Sequence, residues 1–208
     1  VSHSKNKKVL LTGVTGFVGK VVLEELIRRR DELGIDKIYC LIRAHRKGNP
    51  PEARFIDEVM SSPCFSRLPN KWHKCVEVFS GNLSEKNLGL SDKHLHKLEH
   101  EVTHIINCAA SIEFDLPVQE AALANITGSL NVLELARDCP KLENMVNVST
   151  AYVSPYPGEN KPLFEELHPL PRPAAAIYQD ILDGKIQREE LLQETGHLNT
   201  YTLTKCLA

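Results

Sequence analysis

The sequence predicts an α/β domain built on a doubly wound parallel sheet, and two observations lead to this fold class. First, short segments that are apolar throughout alternate along the chain with amphipathic helical segments. Strands that are apolar on both faces are typical of a parallel sheet covered by helices on both sides. Second, each strand-to-strand connection is long enough to hold a helical crossover, which winds such a sheet. The length of 208 residues predicts one domain over 1–208.

The strands and helices follow one another in a regular order. The five predicted strands are Val9–Thr12, Lys37–Ile42, Val76–Ser80, His104–Asn107 and Met145–Ser149. A glycine-rich turn follows the first strand, and a helix with an apolar stripe that includes Val22 and Leu26 then runs to about Arg30. A second long helix with an apolar stripe is predicted from about Pro117 to Arg137.

The segment after the fifth strand differs in composition, because six prolines lie between Thr150 and Pro173. Such a long segment within a compact domain is usually either functional or disordered. We expect an ordered lid or substrate-side insertion over 150–199. Two short helices are predicted inside it, near Ala175–Leu182 and Ile186–Glu194. Asn199 is predicted to cap a final helix. Because the chain stops within that helix, we expect a fragment whose C-terminal part is missing.

Composition excludes several kinds of protein. The formal net charge is −2, which gives no general attraction to nucleic acid or to an anionic membrane. No apolar run approaches 18 residues, so no membrane span is predicted. The six cysteines form no CxxC pair and are expected to be free thiols. His96 and His100 would share a helix face, but without acidic or thiol partners at ligand spacing we expect no metal.

The first motif that carries chemistry is the GxxGxxG pattern of Gly13, Gly16 and Gly19, with Thr12, Thr15, Phe17 and Val18 beside the glycines. Glycine permits a tight turn and a close backbone approach to a pyrophosphate. The helix that follows offers free N–H groups and a positive dipole end to that anion. An ordinary strand-to-helix turn is the alternative, but the position between a strand and a helix favours a dinucleotide site.

Two further strand ends complete the predicted cofactor site. Arg43 ends the second predicted strand, with Arg46 and Lys47 beyond it, and no carboxylate lies between Lys37 and Glu52. A guanidinium suits a 2′-phosphate, so the sequence predicts NADPH over NADH, with a solvated surface arginine as the alternative. At the end of the fourth strand, the small residues of the segment Asn107–Ala110, including Ala109 and Ala110, would let the backbone pass close to the cofactor.

The second motif is Tyr201 with Lys205, which the i, i+4 spacing places on one helix face. A nearby ammonium stabilises a phenolate, so Tyr201 is a candidate acid/base near neutral pH. Thr150 ends the fifth strand, where a hydroxyl could bond a substrate carbonyl. Asn125 lies inside a predicted helix, where Asn is a poor helix former. Three interpretations stay open for it: a local kink, a water-mediated contact to Lys205, or plain exposure.

Together these motifs resemble the extended short-chain dehydrogenase/reductase superfamily, which has a Rossmann-type fold. Finer features resemble the fatty acyl-CoA reductases of the male-sterility type. The resemblance covers the chain from about Lys7 to Ala208. The strings that carry it are LLTGVTGFVGKVVLEEL (10–26), NCAASIEFD (107–115), NVSTAYVS (147–154) and NTYTLTKCLA (199–208).

The resemblance implies a role for each matched residue. Tyr201 would donate the proton, Lys205 would bind the nicotinamide ribose, Thr150 would orient the carbonyl and Asn125 would hold a proton-relay water. The three glycines would hold the pyrophosphate and Arg43 the 2′-phosphate. Asn82 and Leu83 stand where many relatives carry Asp-Leu or Asp-Ile against the adenine; this departure weakens one contact without removing the site.

The implied activity is NADPH-dependent reduction of a long-chain fatty acyl-CoA to an aldehyde or a primary alcohol, with release of CoA. The resemblance further implies a homodimer, and attachment to the endoplasmic reticulum or peroxisome surface through the missing C-terminal part. Three alternatives stay open: a sugar-nucleotide epimerase or dehydratase, a reductase domain acting on carrier-bound thioesters, and a non-catalytic NADP(H)-binding protein.

Overall fold

A computed structural model describes residues 6–44 and 50–208, and its centre is a parallel sheet. The five strands are β1 Lys7–Thr12, β2 Ile35–Ile42, β3 Val76–Ser80, β4 His104–Asn107 and β5 Asn144–Asn147. Their order across the sheet is β3-β2-β1-β4-β5, and every pair is parallel. The predicted doubly wound sheet is therefore confirmed. Strands β1 to β3 are added in one direction across the sheet, and β4 and β5 are added in the other, starting beside β1. Open α/β sheets bind their ligands at such a switch point, here between β1 and β4.

Helices follow the strands as crossovers. The helices are α1 Phe17–Arg28, α2 Arg30–Leu33, α3 Pro51–Arg54, α4 Asp92–Glu101, α5 Val118–Ala122, α6 Gly128–Arg137, α7 Ala174–Leu182, α8 Arg188–Thr195 and α9 Thr200–Leu207. The described chain also contains two π-helical segments, Phe55–Met60 directly after α3 and Leu123–Thr127 between α5 and α6. The predicted helix over Pro117–Arg137 is thus continuous but contains a π segment, the kind of local widening that often occurs at functional sites.

The chain divides into two compact units. The first contains the chain up to Ala109 together with Asn131–Val148, and it holds the whole sheet. The second contains Ala110–Leu130 and Ser149–Ala208. From the length we predicted a single domain over 1–208. The division into two compact units does not test that prediction, which stays a prediction.

The core of the first unit lies on both faces of the sheet. Leu11 of β1 packs in one cluster with Leu23 of α1, whereas Leu10 packs in another with Leu98 of α4 and Val132 of α6. Successive residues of a strand point to opposite faces, so the apolar β1 supplies both clusters. This is the packing expected from strands that are apolar throughout.

The second unit has a helical core. Ile126 of the π segment, Ile177 and Ile181 of α7, Leu191 of α8 and Leu203 of α9 are almost completely buried there. The proline-rich segment 151–173 contains no helix or strand, as predicted from its composition. The absence of helices and strands does not test whether this segment forms part of a lid, so that role stays a prediction.

The fifth strand is shorter than predicted, since it ends at Asn147 and not at Ser149. It forms one edge of the described sheet, and half of the Val146 side chain is exposed. The six cysteines are free thiols, as expected. Among residues 6–44 and 50–208 we find no helix with the length and apolar character needed to cross a bilayer.

Candidate active site

The turn between β1 and α1 requires glycine at Gly13, and its contact with the first turn of α1 requires glycine at Gly19. Gly13 has a φ of +73°, and a Cβ added there would lie 2.7 Å from the Ala109 nitrogen. A Cβ on Gly19 would lie 2.1 Å from the Gly13 carbonyl oxygen. The first glycine therefore lets the end of β4 approach the turn, and the last lets α1 pack directly against it.

The N-terminus of α1 presents backbone donors, and within the described part of the chain its N-cap residue does not cap them. Its N-cap residue is Gly16, which makes no side-chain cap hydrogen bond. Phe17 and Val18 in the first turn are exposed, as is Gly16 itself, while Thr15 is partly buried. A helix N-terminus with free N–H groups and a positive dipole end suits a pyrophosphate. The residues predicted to hold this part of a dinucleotide therefore fit it.

Thr12 and Asn107 lie beneath the glycine turn in a hydrogen-bond chain across three strand ends. The Thr12 hydroxyl donates to Asn107 Oδ1, and the Asn107 amide donates to Asn147 Oδ1 over 2.7 Å. The Ala109 N–H in turn donates to Thr12 Oγ1 over 3.2 Å. Both Thr12 and Asn107 are at most 1% exposed. Their side chains hold the ends of β1, β4 and β5 together, and their cofactor contacts stay a prediction.

The residues predicted to recognise the adenosine half lie at the ends of β2 and β3. Arg43 directly follows β2 and is exposed, and its carbonyl accepts a 2.6 Å hydrogen bond from Arg54. Arg46 and Lys47 lie outside the described residues. Asn82, beside Leu83, donates to Glu85 Oε1 over 2.8 Å and accepts from the Ser84 N–H. Its amide therefore stabilises the turn after β3, which the sequence did not indicate.

The second unit carries the tyrosine and the lysine on α9. Asn199 caps this helix as predicted, because its side chain accepts a 2.9 Å hydrogen bond from the Thr202 N–H. Tyr201 is partly buried beside the Phe114 ring, with 5.9 Å between the ring centroids. Lys205, one turn further, is 5% exposed, and burial lowers the pKa of its ammonium. An ammonium in this environment carries a desolvation cost that a nearby anion would offset.

The two other predicted catalytic residues also lie in the second unit, where Ala110 is exposed. Thr150 is partly buried, and its hydroxyl accepts a hydrogen bond from the Tyr152 N–H. Asn125 lies in the π segment and is 1% exposed, so the interpretation as an exposed residue is wrong. Its amide bonds both backbone groups of Ser111 and donates to Thr204 Oγ1 over 2.9 Å.

An apolar cavity of about 480 Å³ lies within the second unit, and Tyr201 lines it. We call it the tyrosine cavity. Its wall consists of Phe114, Ala151, Tyr152, Ser154, Pro155, Tyr156, Pro157, Leu163, His197, Leu198, Asn199, Tyr201 and Thr202. Many of these residues come from the proline-rich segment, whose composition alone did not reveal a cavity. The aromatic and aliphatic wall suits an apolar ligand.

One cluster contradicts an expectation about metal ligands that we drew from the sequence. His96, Glu99 and His100 of α4 each offer a ligand atom, and these atoms lie within 4.8 Å of one another. The statement that no acidic partner lies at ligand spacing was therefore wrong, because Glu99 follows His96 by three residues and shares its helix face. Both histidines are exposed. That the protein uses no metal stays a prediction.

Comparison with known proteins adds a family and several relatives. The family model of NAD-binding domains described as male sterility protein matches residues 11–208. Fatty acyl-CoA reductase 1 of Gallus gallus is 32% identical over 99% of this chain, and fatty acyl-CoA reductase 2 of Mus musculus is 31% identical over 97%. The chain spans 40% and 39% of the length of these two proteins.

A solved structure shares the fold over the whole chain. The terminal R domain of the myxalamid PKS-NRPS biosynthetic pathway superimposes with a TM-score of 0.68 and 26% identity. It covers 100% of this chain, which corresponds to 45% of that domain.

Proposed function

The chain belongs to the family of NAD-binding male sterility proteins, and on this premise we propose that the full-length protein reduces a long-chain fatty acyl-CoA with NADPH. The products are free CoA and either a fatty aldehyde or a primary alcohol. The observation that carries the proposal is the apolar tyrosine cavity, whose wall includes the acid/base candidate Tyr201. The names of the relatives from Gallus gallus and Mus musculus support the same substrate class.

The cofactor would be held by the residues of the first unit. Backbone N–H groups of the first turn of α1 would bind the pyrophosphate, with Gly13 and Gly19 keeping the turn tight. Exposed Arg43 at the end of β2 would bind the 2′-phosphate and so select NADPH. When bound, NADPH supplies the hydride that reduces the thioester carbonyl.

The residues of the second unit would manage charge and protons. Tyr201 would donate a hydrogen bond, and then its proton, to the carbonyl oxygen as negative charge develops there. Thr150 would orient the same oxygen through its hydroxyl. Buried Lys205 would stabilise the phenolate that Tyr201 leaves behind, since an ammonium favours a neighbouring anion. Asn125 would hold α9 in place through its bond to Thr204, near the middle of that helix.

The test follows two signals in one cuvette. Full-length protein is mixed with NADPH and palmitoyl-CoA, NADPH absorbance is recorded, and released thiol is titrated. We expect NADPH loss together with CoA release. One NADPH consumed per CoA released indicates an aldehyde product, and two NADPH per CoA indicate an alcohol. NADPH binding with neither signal would contradict the proposed substrate class.

Replacing Tyr201 by Phe removes only the hydroxyl. We expect the variant to lose thioester reduction by about 10²–10⁴-fold, the range that a positioned acid/base contributes. NADPH affinity, measured by fluorescence, should stay close to that of the wild type. A Phe variant with normal turnover would rule out Tyr201 as the proton donor.

A second candidate function follows from the similarity to the terminal R domain. In this case the protein would reduce a thioester held on the phosphopantetheine arm of a carrier protein. Turnover of palmitoyl-CoA is compared with that of a palmitoyl-loaded carrier at equal concentration. A carrier substrate with the higher kcat/KM would favour the second function, and the reverse order would favour the first.

A further inference from the structure

His197 is buried on the wall of the tyrosine cavity. This side chain has no role in the proposed reduction. It is 4% exposed, and it precedes α9 by three residues. Its Nδ1 lies 3.3 Å from the Thr202 hydroxyl, which donates its proton to the Asn199 carbonyl. A hydroxyl has one proton, and the Asn199 carbonyl at 3.1 Å is closer to it than Nδ1 is. With that proton on the carbonyl, we assign Nδ1–H as the donor in the contact with Thr202.

This tautomer leaves a lone pair on Nε2. Within the described residues, His197 Nε2 is the buried side-chain polar atom for which no hydrogen-bond partner is found. Desolvation and the neighbouring His168 lower the pKa of His197 to about 4, so the imidazole is neutral at physiological pH. A buried acceptor without a donor costs stability, so this nitrogen calls for a donor that the protein itself does not provide within the described residues.

We propose that His197 Nε2 accepts a hydrogen bond from the substrate, and that the donor is the amide N–H nearest the sulfur in the pantetheine arm. The inference rests on the proposed function. An acyl chain carries no donor, whereas this amide follows the thioester sulfur after two methylene groups in both CoA and carrier substrates. A thioester whose carbonyl contacts Tyr201 therefore has this N–H as its nearest donor, and His197 lies on the wall of the same cavity.

The test measures binding without NADPH, so it does not depend on turnover. Calorimetry on the full-length protein compares the N-acetylcysteamine thioester of octanoate with its 2-acetoxyethyl analogue, in which an ester oxygen replaces the amide N–H. We expect the wild type to bind the amide compound at least about tenfold more tightly, because the analogue leaves Nε2 unpaired. Equal affinities would overturn the proposal.

Two variants separate the acceptor from the fold. His197→Asn keeps a donor for Thr202 but has no acceptor at the Nε2 position, whereas His197→Gln places an amide oxygen there. We expect the preference for the amide compound to disappear in His197→Asn and to persist in His197→Gln. A preference that is the same in both variants would show that another group reads the amide.

A donor on the acyl chain is the remaining source of the same hydrogen bond. If 3-hydroxypalmitoyl-CoA binds more tightly than palmitoyl-CoA and His197→Asn removes only this difference, the assignment to the pantetheine amide is wrong. The proposed function fails separately, through absence of thioester-dependent NADPH oxidation in the wild type.

Discussion

At the scale of single residues, the burial of His197 links the stability of the protein to pH. A histidine in an unfolded chain titrates near pH 6.5, whereas the pKa of His197 in the folded chain is about 4. Between these two values the unfolded state binds more protons than the folded state. Stability is therefore fully present above pH 6.5 and is lost as the pH falls towards 4.

We expect His197→Gln to remove this contribution. Between pH 7.5 and pH 4.5 the wild type should lose about 2.5 kcal/mol more unfolding free energy than the variant, because Gln does not titrate. Urea denaturation of both proteins at the two pH values measures the difference, and all other groups titrate equally in both. Equal losses would show that His197 is not buried in its neutral form.

Side chains differed in how far the sequence could predict them. The cap by Asn199 depends on contacts three residues apart, so its pattern was sufficient. The spacing of Tyr201 and Lys205 was likewise local. The contact between Asn125 and Thr204 joins residues 79 positions apart, and no local pattern contains it. The unpaired Nε2 of His197 was equally hidden, because burial depends on the proline-rich segment that folds around the cavity.

At the scale of elements, the turn between β1 and α1 offers a matched pair of substitutions. A methyl group on Gly19 would meet the Gly13 carbonyl at 2.1 Å, whereas one on Gly16 would lie 3.3 Å from the same oxygen. We expect Gly19→Ala to cost about 1–3 kcal/mol of stability and to abolish NADPH binding, since backbone must move. Gly16→Ala should lose less stability and less NADPH affinity than Gly19→Ala does. Thermal denaturation measures the stability and fluorescence titration the affinity. Losses of similar size in the two variants would contradict this explanation of the turn.

The π segment and α9 are joined by the Asn125 amide. Asn125→Ala leaves both backbone groups of Ser111 and the Thr204 hydroxyl without this partner, so we expect a loss of about 2–3 kcal/mol. Thr204→Val removes one of these bonds at nearly constant volume and should cost about 1 kcal/mol. Urea denaturation of both variants tests the ranking. A larger loss in Thr204→Val would show that Asn125 contributes little to holding α9.

At the scale of the whole molecule, sheet topology was the most predictable property. Apolar runs predicted the ends of β3 and β4 correctly, and the ends of β1, β2 and β5 to within two residues. They could do so because both faces of a parallel sheet need apolar side chains. The division into two units was not predictable, since Ala110–Leu130 and Ser149–Ala208 come together from distant parts of the chain. The cavity depends on that same assembly.

Cofactor choice is measured on the whole folded molecule, because a ligand that binds only the folded state stabilises it. A nucleotide present at 100 times its Kd adds about 2.7 kcal/mol. We expect NADPH to raise the Tm of the full-length protein more than NADH does at equal concentration. Arg43→Ala should remove most of this difference while leaving the NADH effect unchanged. An Arg43→Ala variant that still prefers NADPH would place 2′-phosphate recognition elsewhere.

The position of β5 at one edge of the described sheet has a practical consequence for handling the protein. Strand edges with unpaired backbone groups and apolar side chains are templates for pairing with other chains, and half-exposed Val146 lies on such an edge. A preparation of these 208 residues alone is therefore expected to self-associate as its concentration rises. Light scattering over a range of protein concentrations tests this expectation, and a signal per unit mass that does not rise with concentration would contradict it.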